Sequence, residues 1–316
     1  MSVATTPQQR AERTTRAVAA ATAAGRELGL DVREATVLHD VFSVVVHLAP
    51  APVVVRVPTV LPPGTDPEVQ AARQRIELDV TSWLHARGAP VVAPSPLVPR
   101  EPVRRDGFSM TCWQHVEADS TAEPDYIGRC RLVADLHRAL RDYPGPLPFL
   151  DSADPGMITN GLADLERRPD LLAPADLERA RREWAALAPL VTSRAGFEAA
   201  FPGIELQAIH GDAPAVNILT TPGGELFADF ELATLGPVEW DLAFLGAEGE
   251  AVYDAAAREL GLRPLDERVL RLVNAVGMLR SVACLALAPQ LPMLAEAVAP
   301  ALDQWRGAPF AGGLAD

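Results

Sequence analysis

Asp212, Asn217 and Asp229 carry side-chain oxygens at spacings that a hairpin would bring together. Ile218-Leu219-Thr220 and Glu225-Leu226-Phe227-Ala228 are short apolar-polar runs on either side of Pro222-Gly223-Gly224, which predicts two strands around a tight turn. In an antiparallel pair the first residue of one strand lies beside the last of the other, with Cα atoms roughly 5 Å apart. Asn217 and Asp229 would then stand side by side at the open end. One amide oxygen and one carboxylate suit a hard cation such as Mg2+, which takes oxygen ligands and keeps several waters. Asp212 sits in the loop feeding the hairpin, at the end of the strand-like run Leu206 to Ile209, and Gly211 lets the backbone bend there.

Two carboxylates converging at roughly 5 Å repel by about 3 kcal/mol at an effective dielectric of about 20. A cation must stand between them, or one must hold a proton. A metal meets that need and leaves Asp212 ionised, free to orient a hydroxyl. Phosphoryl transfer asks for this set: one base-like carboxylate, with an Asn and a second Asp on the metal.

His210-Gly211-Asp212, four intervening residues, Asn217, eleven more, and Asp229-Phe230-Glu231 resemble the signature of the aminoglycoside phosphotransferase family. These are small-molecule kinases of the protein-kinase-like fold. The resemblance covers about Val32 to Ala247 in pattern, with its specificity concentrated in this stretch. It implies an α+β, two-lobed chain: residues 1–115 as a small antiparallel-sheet N-lobe, residues 116–316 as a larger, mainly helical C-lobe. The implied activity moves the γ-phosphoryl group of ATP or GTP to a hydroxyl of a small molecule, an aminoglycoside-like or other cationic or sugar-like acceptor, with Mg2+ as cofactor. Asp212 would be the catalytic residue, and Asn217 and Asp229 the metal ligands.

Composition sets wide limits. The 316 residues can bury a substantial core as one large domain or two. No run approaches 18 consecutive apolar residues, so no membrane span is expected. The N-terminus reads as a helix and not a targeting peptide. Cys112, Cys130 and Cys284 are odd in number and widely spaced, which fits a reducing compartment, the cytoplasm, and neither a disulfide framework nor a zinc site. A net charge of −14 argues against a nucleic-acid partner. It is compatible with a cationic substrate or with solubility alone. The sequence has no lysine; every basic side chain is arginine.

The elements that must position the site follow from pattern. Gln8 to Gly29 predicts one helix. Val32 to Val37, Ser43 to Leu48 and Val53 to Val57 predict an antiparallel meander, and Pro58 to Pro67 a mobile loop. Glu68 to Arg87 predicts a helix with Val69, Ala72, Ile76, Val80, Trp83 and Leu84 on its apolar stripe and Glu77 at the border. Val91 to Leu97 and Phe108 to Val116 read as two more strands. Helical patterns follow at Asp125 to Asp142, Gly161 to Arg168, Pro174 to Leu190, Arg194 to Phe201, Ala251 to Leu260, Glu267 to Leu287 and Pro292 to Trp305.

In the resembled fold a strand cation grips the phosphates and pairs with a helix carboxylate. These fall on Arg56 and Glu77; the bland reading is a strand-end charge and a solvated helix residue. The usual cation is Lys, and the planar fork of Arg56 is not equivalent. No glycine-rich phosphate loop stands at Leu38 to Ser43. An adenine would meet Trp113, Gln114, His115 and Val116 through their backbone, although Trp113 also reads as a core aromatic. Asp241 would bond the catalytic-loop backbone as a scaffold. His137 and His210 read as packing residues. Glu231 reads as a support or substrate contact or as a solvated charge, and Glu248 and Glu250 as surface charge. Two other readings remain: a non-catalytic nucleotide-binding module, favoured by Arg56 and the missing glycines, and a metal-dependent hydrolase using His210, Asp212 and Asp229.

Overall fold

The computed structural model describes residues 6–61, 65–119 and 121–314. The chain divides into two compact units: residues 1–120 with 219–231 and 289–292, and residues 121–218 with 232–288 and 293–316.

The first unit opens with α1 (Pro7–Glu27), started by a capping box between Thr6 and Gln9. The meander follows as β1 (Val32–Asp40), β2 (Ser43–Pro50) and β3 (Val53–Pro58), then α2 (Pro67–His85), β4 (Val103–Arg105) and β5 (Phe108–Gln114). The strands pair antiparallel in the order β1-β2-β3-β5-β4. β3 is central and buried at all its positions. Ala17, Ala20, Ala21 and Ala24 of α1 pack against Val44, Val46, Leu48, Val53, Val55 and Val57 on one side of the sheet. Val54, Leu78, Val92 and Trp113 form the other cluster. The β1–β2 turn has only Val41 and Phe42 outside the strands, and the Phe42 carbonyl accepts from the N–H groups of Thr59 and Val60. Within the loop expected at Pro58 to Pro67, residues 62–64 lie outside the described residues.

Two expectations for this unit need correction. Val91 to Leu97 is not a strand. Pro90, Pro94 and Pro96 lack the N–H a ladder needs, and only isolated bridges form, Val91 to Phe227 and Pro94 to Trp113. The buried face of α2 is also turned from the predicted stripe. It keeps Val80 and Leu84 of that stripe and adds Ala71, Gln74, Glu77, Leu78 and Thr81, while Val69 is exposed. Glu77 is therefore inside, 1% exposed, and not at the border.

The second unit holds α3 (Cys130–Leu140), α4 (Pro155–Leu165), α5 (Pro174–Thr192), α6 (Arg194–Ala200) and β6 (Gln207–Ile209). The hairpin strands β7 (Ile218–Thr221) and β8 (Gly224–Phe227) come next in the chain and pair around the turn at Pro222-Gly223, as predicted. Residues 219–231 belong to the first unit. β9 (Thr234–Gly236) then pairs with β6, and α7 (Gly246–Glu259), α8 (Glu267–Cys284) and α9 (Met293–Gly307) complete the chain. α3 starts five residues later than expected, because Asp125 closes a turn on the Gly128 N–H. Glu267–Leu287 is, against expectation, long and apolar enough to cross a membrane by composition. Its Val269, Leu272, Val276, Leu279 and Val282 are buried, and it packs against α4, α5 and α9 as the central helix of this unit.

Candidate functional site

Arg56 and Glu77 meet. Arg56 leaves β3 and is 8% exposed; its Nη2 donates to Glu77 Oε2 at 2.7 Å. The facing position of α2 thus supplies a carboxyl oxygen to the buried guanidinium. Two more acids of the same unit share the cation. Arg56 Nη1 donates to Glu231 Oε2 at 2.5 Å and lies 3.3 Å from Asp229 Oδ1. Asp229 is held at φ +64°, a backbone state uncommon outside glycine.

Three carboxyl groups around one guanidinium perturb one another. Burial pushes the Glu77 carboxyl up to about 8; Arg56 opposes that rise, and the charges on Asp229 and Glu231 add to it. Burial lowers the Arg56 pKa, but the three acids more than offset this and hold it well above the ordinary arginine value. The cation beside Asp229 is thus a protein side chain. Glu231 was the residue that sequence pattern left undecided, since no spacing rule links it to Arg56.

The segment expected to face adenine is mostly committed within the first unit. Trp113 is buried among Val54, Leu78 and Val92, and its Nε1–H donates to Thr111 Oγ1, so its side chain is a core aromatic. The N–H of Gln114 bonds the Ala93 carbonyl, and that of His115 bonds the Pro52 carbonyl. The His115 ring stacks on His47 at 3.8 Å, and burial, with His47 beside it, lowers its pKa. Val116 lies beyond β5, and among the described residues its N–H makes no such backbone bond.

In the second unit the loop after β6 presents Asp212. Gly211 turns it at φ +89°, and a Cβ there would lie 2.0 Å from the Leu232 carbonyl oxygen. Asp241 is fully buried and accepts from both loop amides: Oδ2 from His210 N–H at 2.8 Å and Oδ1 from Gly211 N–H at 2.7 Å. His137 Nε2 meets Asp241 Oδ2 at 2.9 Å, and its Nδ1 meets the Tyr253 hydroxyl at 2.8 Å. Trp240 Nε1–H donates to the Gly211 carbonyl. Asp241 is therefore the scaffold and His137 a satisfied buried histidine, as the sequence implied; His210 is buried as well. Asn217 Nδ2 donates to the Asp212 carbonyl at 2.7 Å, which brings these two predicted residues together. Asn217 precedes β7 directly and belongs to the second unit, whereas Asp229 belongs to the first. Glu248 is exposed and Glu250 half-buried.

A cavity of about 70 Å3 opens beside Asp212, lined by Trp240, Phe244, Gly277 and Arg280 among others. Arg280 Nη2 stands 4.0 Å from Asp212 Oδ1. The sequence signal for it was faint: a single charged residue in the mostly apolar run from Leu272 to Cys284 of α8.

No curated protein matches this sequence. Solved structures do. The GDP and kanamycin complex of APH(2″)-IIIa is similar over 91% of this chain and 98% of its own, at 14% identity and a TM-score of 0.57. A choline/ethanolamine kinase family protein from Mesorhizobium loti is similar over 96% and 98%, at 20% identity and a TM-score of 0.58. The aminoglycoside phosphotransferase APH(3″)-Id from Streptomyces rimosus, in complex with ADP and streptomycin, is similar over 84% and 95%, at 19% identity and a TM-score of 0.52. At such identities they establish the fold, which is the protein-kinase-like one. The model of the phosphotransferase enzyme family, APH, matches residues 28–272, and the chain belongs to that family.

Proposed function

We propose that this protein transfers the γ-phosphoryl group of ATP or GTP to a hydroxyl of a small molecule. The observation that carries the reading is the loop that presents Asp212. Asp241 takes the amide hydrogens of His210 and Gly211, and Asn217 takes the carbonyl of Asp212 itself. A carboxylate fixed in this way is preorganised and spends nothing on reorganisation when it meets a hydroxyl.

Asp212 orients the acceptor hydroxyl and accepts its proton. The acceptor oxygen forms a bond to the γ-phosphorus as the bond from that phosphorus to the bridging oxygen breaks, and the nucleoside diphosphate leaves with that electron pair. Arg56 holds phosphate oxygens and Glu77 holds Arg56. Among Trp113, Gln114, His115 and Val116, the Val116 N–H is the donor left for adenine.

Magnesium fits the donors. Among the described residues no group of three or more His, Cys, Asp or Glu side chains could hold a metal. Mg2+, however, needs only one or two protein carboxylates and takes water and phosphate oxygens for the rest. Asn217 commits Nδ2 to the Asp212 carbonyl, which leaves Oδ1 as the free end of its amide. Asn217 and Asp229 are the proposed ligands, and the ion, when bound, offsets the charge on the phosphate oxygens. Three free cysteines fit action in the reducing cytoplasm.

Purified protein with Mg-ATP or Mg-GTP and a panel of hydroxylated compounds tests the reading, with nucleoside diphosphate release as readout. Asp212→Ala is expected to lower kcat by roughly 10²–10⁴ with nucleotide affinity largely kept. Equal turnover of the two proteins rejects the assignment. A second reading, nucleotide binding without transfer, draws on the engagement of Arg56 by three acids; it predicts Mg-nucleotide binding and no acceptor-dependent release.

A further inference from the structure

Resting on the reading of Asp212 as the residue that orients the acceptor, we infer that the acceptor is a hydroxy acid: an anionic group on Arg280, its hydroxyl on a carbon close to that group, and an apolar face against Phe244. The relatives solved with kanamycin and streptomycin bind polycations. Here the cavity is lined by a cation, Arg280, as well as by the carboxylate of Asp212. Arg280 Nη2 is 4.0 Å from Asp212 Oδ1, beyond hydrogen-bond length, and its Nε–H is buried without a hydrogen-bond partner. Arg280 makes one long ion pair and keeps a buried donor without a partner, and a planar fork of this kind is suited to a carboxylate. A substrate ammonium on Arg280 would meet a repulsion of about 3 kcal/mol at roughly 5 Å and an effective dielectric of about 20, and one turned toward Asp212 would leave that buried Nε–H unpartnered.

The short distance between Arg280 and Asp212 restricts the ligand further. A molecule that presents its hydroxyl to one and its anion to the other must carry them on adjacent or next-but-one carbons. The cavity of about 70 Å3 holds a few heavy atoms, so it takes that head group and leaves the remainder outside.

The remainder has a wall. Phe244 is 50% exposed, and it sits at φ +65°, a strained conformation for an aromatic residue. Asn274 Oδ1 accepts from its N–H at 3.0 Å. Gly277 makes room for the ring, since a Cβ there would lie 2.6 Å from it. An exposed ring kept in a strained place by a carboxamide and a glycine gap is a stacking surface for a ligand.

Three probes that share one frame test this: 3-phenyllactate, 3-phenylpropane-1,2-diol and 1-amino-3-phenylpropan-2-ol, the anion, the neutral diol and the cation. Binding to the full chain is measured by calorimetry, which needs no phosphoryl transfer. The expected result is at least tenfold tighter binding of phenyllactate than of the diol, with the amino alcohol weakest. Arg280→Gln is expected to bring the anion and the diol within about twofold, and Arg280→Lys to restore part of the preference. Equal or tighter binding of the amino alcohol overturns the inference, as does a preference that survives in Arg280→Gln or millimolar concentrations of all three without binding. If the ranking holds and Mg-ATP still yields no phosphorylated phenyllactate, it is the proposed function that fails and the hydroxy-acid site that stands.

Discussion

Arg56 Nη1 lies 2.5 Å from Glu231 Oε2, so the cation on the first unit's central strand is held by an acid 175 positions further along the chain. Glu231 competes for the donor that the proposed function gives to phosphate. Removing its charge should free Arg56. Glu231 is 39% exposed, so the charge-assisted bond counts for about 1 kcal/mol after solvent screening. Glu231→Gln is expected to tighten Mg-nucleotide affinity about fivefold, read by calorimetry. Weaker binding would show that Glu231 serves the nucleotide and does not oppose it.

Glu77 gives a pH prediction. Its carboxyl is pushed up to about 8 in the folded protein, against about 4.3 in an unfolded chain. Between those values the folded state keeps a proton that the unfolded state has released. Stability from this group is therefore full below the unfolded value and lost as pH rises toward about 8. Glu77→Gln stays neutral throughout. Metal-free wild type should lose stability relative to Glu77→Gln from pH 5 to pH 8, read from denaturant midpoints at each pH. A difference that stays constant over that range refutes the raised carboxyl.

What the sequence revealed of the site followed from local chemistry. The hairpin of β7 and β8 was marked by its glycine turn, and the Asp241 scaffold by the resemblance around it. Periodicity misplaced the face of α2 because it counts apolar residues. The helix turns Gln74 and Glu77 inward to serve Ser109 and Arg56, partners set by tertiary pairing. Val91 to Leu97 read as a strand because its apolar content outweighed prolines whose missing N–H groups break a ladder. Glu231 was left undecided and Arg280 was missed for one reason: each acts on a residue far away in sequence.

Gly211 is the tightest position in the loop that carries Asp212. At φ +89° any L side chain is strained, and a Cβ would fall 2.0 Å from the Leu232 carbonyl oxygen, a backbone atom with no rotamer to escape by. Gly211→Ala should therefore displace the loop that carries Asp212, with strain on the order of 1–3 kcal/mol from the dihedral alone. The expected outcome is a folded protein whose acceptor-dependent turnover falls at least 100-fold, while nucleotide affinity, which the proposed function gives to Arg56 and its partners in the first unit, changes little. Nearly full turnover with unchanged circular dichroism would mean that the loop position is not what sets Asp212.

The three thiols are expected to be inert for a measurable reason. Burial pushes Cys112 and Cys130 each up to about 11, and raises Cys284 too, where Arg280 opposes the rise. An unperturbed thiol near 8.5 is about one-quarter thiolate at pH 8, and one near 11 is about one-thousandth. Alkylation follows the thiolate. Iodoacetamide at pH 8 should modify Cys112 and Cys130 at least 100-fold more slowly in the native protein than in urea, as read by mass spectrometry. The sign for stability is the same as for Glu77: the folded state keeps protons that the unfolded state loses near 8.5, so stability falls as pH rises from there toward about 11. Cys112→Ser and Cys130→Ser proteins should lose less over that range. A native rate equal to that of a free thiol would place these cysteines in water, which the packing of Cys112 into the sheet's core and the full burial of Cys130 contradict.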